Sequence, residues 1–134
     1  MKHLFLYVGL IMLFFFSDTG AQSYIGLKKD DVRLLARKSG FHSDHITTSQ
    51  SFNYLKFVNS ADTKTLIVFF SDDDISTHTR LVCDYSEYDF IKGDYDDNYR
   101  KKGNNKWEFN EGINKYVVTL EEKEWYFVLN VKKK

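Results

Sequence analysis

Between Lys106 and Val131 every second residue is apolar within three short runs: Trp107 and Phe109, then Tyr116, Val118 and Leu120, then Trp125, Phe127, Leu129 and Val131. A period of two places each set on one face of a β-strand. The gaps between the runs are far too short for the crossover that parallel neighbours need, so the strands must pair antiparallel. The pattern predicts strands over Lys106–Asn110, Asn114–Leu120 and Lys123–Val131, with Glu111-Gly112 and Glu121-Glu122 at the turns and the apolar sets facing a core.

The first half of the chain repeats this texture. Phe52–Val58, Thr65–Phe70 and Ser76–Tyr85 read as strands, joined by Asn59-Ser60-Ala61-Asp62 and by the acidic turn Ser71-Asp72-Asp73-Asp74. In the third, Thr77, Thr79, Leu81, Cys83 and Tyr85 share one face. A helix is predicted from Lys29 to Ser39, with Asp30 and Asp31 in its first turn, Arg37 and Lys38 in its last, and Gly40-Phe41 as the stop. A second is predicted from Ser86 to Arg100, carrying Tyr88, Ile91, Tyr95 and Tyr99, and ended by Lys101-Lys102-Gly103-Asn104-Asn105. Phe41 to Ser51 reads as a loop. The expected fold is therefore α+β, an antiparallel sheet of about six strands with two helices on one face, in the order α-β-β-β-α-β-β-β. Tyr54-x-x-Phe57-x-Asn59 echoes Trp107-x-Phe109-Asn110. Internal duplication accounts for the echo, and so does the repetitiveness of any antiparallel meander.

Ahead of the first helix the chain changes character. Lys2 and His3 precede an apolar run from Leu4 to Phe16, within the roughly 7–15 residues of a signal-peptide core and short of the roughly 20 that span a bilayer. Ser17-Asp18-Thr19-Gly20-Ala21 then turns polar and small. The expectation is a cleavable secretory signal over residues 1–21 and a single domain over 22–134, exported to the periplasm or cell exterior with no stable membrane anchor after cleavage. The Ala21-Gln22 junction resembles secretory signals of Bacteroidetes-type bacteria. A lipid anchor would need a cysteine at the junction, and the one cysteine is Cys83.

Nineteen Lys and Arg balance nineteen Asp and Glu, which argues against a nucleic-acid binder, normally marked by a basic excess on one face. A lone cysteine forms no internal disulfide, so the domain has to stand on packing in an oxidising compartment. Cys83 reads as a small buried hydrophobe. His42-Ser43-Asp44-His45, with His78 added by the fold, is the most suggestive polar cluster, but its spacing fits no helical metal motif. Asp94-Tyr95-Asp96-Asp97-Asn98 imitates the start of a calcium loop and then puts Tyr99 where glycine is required and Asn105 where a bidentate glutamate belongs. No phosphate-cradling glycine loop and no nominated nucleophile appear. No metal, cofactor or catalytic residue is expected.

What remains is apolar surface. If the inward sets face the helices, Tyr54, Val58, Ile67 and Phe69 lie on the other side of the first three strands, and Val117, Tyr126 and Val128 on that side of the last three. Tyr54, Ile67, Phe69, Val117, Tyr126 and Val128 are the candidate binding residues of a sheet face the helices leave uncovered. Ile25-Gly26-Leu27-Lys28-Lys29-Asp30-Asp31-Val32, opening a short helix before aromatic-rich strands, resembles small exported bacterial α+β proteins, among them the β-lactamase-inhibitor-protein-like and SmpA/OmlA-like groups. The resemblance implies an exported α+β domain and carries over no functional residue. The expected role is a non-catalytic binding module for an unknown protein or envelope component, its oligomeric state open. The alternative is a small metal-dependent or hydrolytic enzyme built on His42, His45 and His78.

Overall fold

Helix α1 (Lys29–Lys38) carries Asp30 and Asp31 in its first turn and Arg37 and Lys38 in its last, so its side-chain charges complement the backbone dipole at both ends. Val32 and Ala36, one turn apart, are its buried stripe. Gly40 closes it with φ +86°, a left-handed conformation that costs a β-carbon-bearing residue and glycine almost nothing. Phe41 then folds back against the core.

The computed structural model describes residues 24–44 and 52–134. Among them, the chain runs from α1 through strands β1 (Phe41–Ser43), β2 (Tyr54–Asn59), β3 (Lys64–Phe70) and β4 (Ser76–Asp84) to a short 3-10 turn (Tyr85–Glu87) and helix α2 (Tyr88–Asn98). It continues through β5 (Arg100–Gly103), β6 (Lys106–Glu111), β7 (Asn114–Glu122) and β8 (Tyr126–Lys133). All eight strands form one antiparallel sheet in the order β1-β2-β3-β4-β8-β7-β6-β5. Each half is a helix followed by a four-stranded meander, and the halves meet at their last strands. The order is therefore symmetric about the β4–β8 seam.

The α+β antiparallel architecture is the expected one, with eight strands in place of six. The two additions are the edge strands. Phe41–Ser43, read from sequence as part of a loop, pairs with β2, and Arg100–Gly103, read as a helix end and turn, pairs with β6. Neither carries an alternating apolar pattern, because an edge strand that short buries almost nothing. A brief, charged edge such as Arg100-Lys101-Lys102 also gives another chain little to pair with. Residues 45–51 of the expected loop, and the expected signal segment, lie outside the described residues.

Register fixes which side chains share a face. Phe57, Leu66, Leu81, Leu129 and Leu120 stand in one row across five strands, with Val68, Val131, Val118 and Trp107 in the next. These form one core with Val32 and Ala36 of α1 and Ile91 and Tyr95 of α2, so both helices pack on this face. Tyr95 meets Trp107 edge-on at 5.6 Å, and the Trp107 indole N–H donates to Asp96 at 2.9 Å. Asp96 is thus a helix residue holding the core tryptophan, and Asn98 returns to Asp94 in the same helix. Asp74 at the β3–β4 turn accepts from Asn53 at 2.7 Å and pairs with Lys29 at 3.3 Å.

Three inward expectations are overturned. Trp125 is 79 % exposed, because Glu124 and Trp125 form the tip of the β7–β8 turn closed by the Lys123–Tyr126 backbone bond, and the strand begins one residue later. Thr77 is exposed because a β-bulge between Phe69 and Phe70 pairs Phe70 with Ser76 and Phe69 with His78. The bulge hands the core position to Ser76, whose hydroxyl donates to the Tyr24 carbonyl and accepts from the Leu27 N–H. That hydroxyl ties the segment ahead of α1 to the sheet. Tyr85, also expected inward, is 38 % exposed and donates its hydroxyl to the Lys123 carbonyl.

Candidate functional site

The outer face of the sheet follows from the same register, one residue out of step with the core. Val58, Thr65, Val82, Val128 and Glu121 form one row across β2, β3, β4, β8 and β7. The next is Lys56, Ile67, Arg80, Asn130, Thr119 and Lys106. The third is Tyr54, Phe69, His78, Lys132, Val117, Glu108 and Arg100. All six residues expected to lie opposite the helices therefore do: Tyr54, Ile67, Phe69, Val117 and Val128 within these rows, and Tyr126 across from Asp84. Val117 and Val128 are buried yet stand outside the helix-side core. Tyr54, Ile67 and Phe69 are half-buried and Tyr126 is 40 % exposed.

Aromatic contacts run along the third row. Phe69 stacks flat on His78 with ring centroids 4.3 Å apart and planes within 6°, and Tyr54 tilts onto Phe69 at 6.1 Å. Burial against these rings, and then the positive charge of Lys132, hold the His78 imidazole below its usual pKa, so the ring is neutral at neutral pH. The Thr77 hydroxyl lies 3.0 Å from His78 Nδ1.

Cations fill the gaps between the apolar positions. Lys56 pairs with Asp44 at 3.1 Å, and Glu108 is clasped by Lys134 at 2.7 Å and Lys102 at 3.8 Å. The Lys134 ammonium, first among the causes, keeps the Glu108 carboxyl below its ordinary pKa and therefore ionised. Arg80, Arg100, Lys106, Lys115 and Lys132 form no salt bridge with any described residue, and the Arg80 Nε is buried without a hydrogen-bond partner among them. At the β5–β6 end an open cleft of about 370 Å³ adjoins these rows, lined by Tyr99, Arg100, Glu108, Phe109, Asn110 and Lys115 among others. These basic residues were not among those singled out from the sequence. Their signal was present in the parity of Arg80 with His78 and of Lys132 with Asn130, but an even overall charge balance masks a segregated one.

Elsewhere the chemistry is quiet. His42 lies on β1 and His78 on β4, three strand spacings or about 14 Å apart sideways, whereas two ligands of one zinc stand within about 4 Å of each other. The fold does not bring these two together, and His45 lies outside the described residues. No group of three His, Cys, Asp or Glu residues suited to a metal occurs among the described residues. Cys83 is buried in the core, where burial pushes its thiol up to about 12, the opposite of an activated nucleophile. Among the described residues no helix is long and apolar enough to cross a membrane.

No family model, no curated protein and no solved structure matches this chain.

Proposed function

We propose that this chain is an exported, non-catalytic binding module whose working surface is the outer face of the eight-stranded sheet. The observation that carries the reading is the stacked row Tyr54–Phe69–His78, with exposed Tyr126 at the other end of the same face, where no described helix packs. Rigid aromatic side chains held by neighbours lose little conformational entropy on binding and dominate the energetics of interfaces. The described part of the face measures about 24 Å across β2 to β6 and about 27 Å along the strands, or about 650 Å². That is close to the roughly 800 Å² each partner contributes to a standard protein interface. The signal-like residues 1–21 support delivery outside the cytoplasm. An enzyme built on His42, His45 and His78 gains nothing from the positions of His42 and His78.

The test is capture from the producing cell's envelope and extracellular fractions. Wild-type protein recovers a partner that a Tyr54→Ser/Phe69→Ser/Tyr126→Ser variant, folded by circular dichroism, does not. Equal recovery by both proteins overturns the reading.

A further inference from the structure

We infer that the partner docking on the outer face is a polypeptide surface rich in Asp and Glu. This rests on the outer face being the binding surface. The whole chain is electrically balanced, yet the balance is not local. Once Asp44 is matched with Lys56 and Glu108 with Lys134 and Lys102, the second and third rows hold Arg80, Lys106 and Lys132 in no salt bridge with a described residue, and Arg100 and Lys115 share the one Glu108 as a neighbour. Asp84 and Glu121 stand at the far end of the same face, beside Tyr126 and Val128, and the other compensating acids lie off it: Asp30 and Asp31 on α1, Asp72 and Asp73 in the β3–β4 turn, Asp89, Asp94 and Asp97 on α2. Like charges gathered on one face repel one another and destabilise the free protein, so the arrangement gains by meeting opposite charge.

Arg80 sharpens the point. It stands at the β4–β8 seam opposite Asn130, in the middle of the sheet, with its Nε withdrawn from solvent and no acceptor among the described residues. A guanidinium with no salt bridge among the described residues favours a carboxylate, which the nitrogens beyond the buried Nε would meet. Half-buried Ile67 and Phe69 stand among the cations in the same two rows. Alternating apolar and basic positions suit a folded partner that brings side chains of both kinds, as protein interfaces do. Arg100 and Lys115 continue the basic path into the cleft of about 370 Å³, which has room for an acidic side chain or loop tip.

The full chain is titrated at low salt with poly-L-glutamate, and in parallel with heparin and with phosphatidylglycerol vesicles. Poly-L-glutamate binds, weakens steeply as salt rises, and loses at least about tenfold in affinity on Arg80→Glu/Lys132→Glu. Lys28→Glu/Lys38→Glu, at the two ends of α1, leaves affinity unchanged. Carbodiimide then links the probe to Lys106, Lys115 or Lys132. Absence of poly-L-glutamate binding, equal loss in both charge-reversed pairs, or binding of heparin or vesicles while poly-L-glutamate is ignored overturns the inference. The same reversal in the capture experiment separates the two ideas. A partner lost with Tyr54, Phe69 and Tyr126 but retained by Arg80→Glu/Lys132→Glu refutes its acidity and leaves the binding face standing. A partner retained by both variants refutes both.

Discussion

Replacing Ser76 with alanine removes an oxygen that serves two backbone groups across a wide gap in sequence. The hydroxyl accepts from Leu27 N–H at 2.8 Å and donates to the Tyr24 carbonyl, in a residue that is 2 % exposed. Alanine is nearly the same size, so cavity formation contributes little and the cost is polar. Leaving the Leu27 N–H without its acceptor costs about 1–3 kcal/mol, and loss of the bond to Tyr24 adds about 1 kcal/mol, for a total of about 2–4 kcal/mol. Against a typical domain stability of about 5–15 kcal/mol this is a large fraction. With a urea dependence of about 1.5 kcal/mol per molar, the unfolding midpoint falls by about 2 M with an unchanged slope. Hydrogen exchange supplies a local readout: the Leu27 amide is protected in the native chain and exchanges much faster in the variant. A midpoint shift below about 0.5 M, or a Leu27 amide that stays protected, would falsify the idea that Ser76 fastens this segment to the sheet.

Three further outcomes follow from individual side chains. Trp107→Phe gives up the indole bond to Asp96 and part of the edge contact with Tyr95, and costs about 2 kcal/mol in chemical denaturation. Cys83, its thiol pushed up to about 12 by burial, does not react with a thiol reagent in the native state and reacts at once in denaturant. His78 has a folded pKa below 6.5, so between that value and 6.5 the unfolded chain binds more protons than the folded one. Stability therefore falls as pH drops through this window, and His78→Gln flattens the dependence. Lys132→Gln raises the His78 pKa only part of the way in an NMR titration, because burial is the larger cause.

Where each residue's side chain buries decides how readable an element was. β3, β4, β6, β7 and β8 place two or more apolar residues on the core face at alternate positions, and the period of two announces them. Helix α1 was legible from its charged ends and the Gly40-Phe41 stop. β1 and β5 were not, since a three- or four-residue edge strand is held by backbone bonds to one neighbour and demands little of its side chains. Ser76 and Thr77 exchanged roles because a bulge adds one residue to the count, and nothing in Ser76-Thr77-His78 marks it locally. The apolar half of the outer face was readable as the complement of the core sets. Its basic half depends on register across five strands, which joins Lys106 to Arg80 and Arg100 to Lys132 through residues far apart in the chain.

The central claim is that one face of the sheet does the binding, and photo-crosslinking by position tests it most directly. A benzophenone side chain replaces Phe69 or Tyr126 on the outer face, or Phe90, which is 73 % exposed on α2 on the opposite side. Illumination in the presence of the cell's envelope and extracellular fractions is predicted to give the same discrete adduct from positions 69 and 126 and none from position 90. Adducts from position 90 alone, or equally from all three, contradict the account.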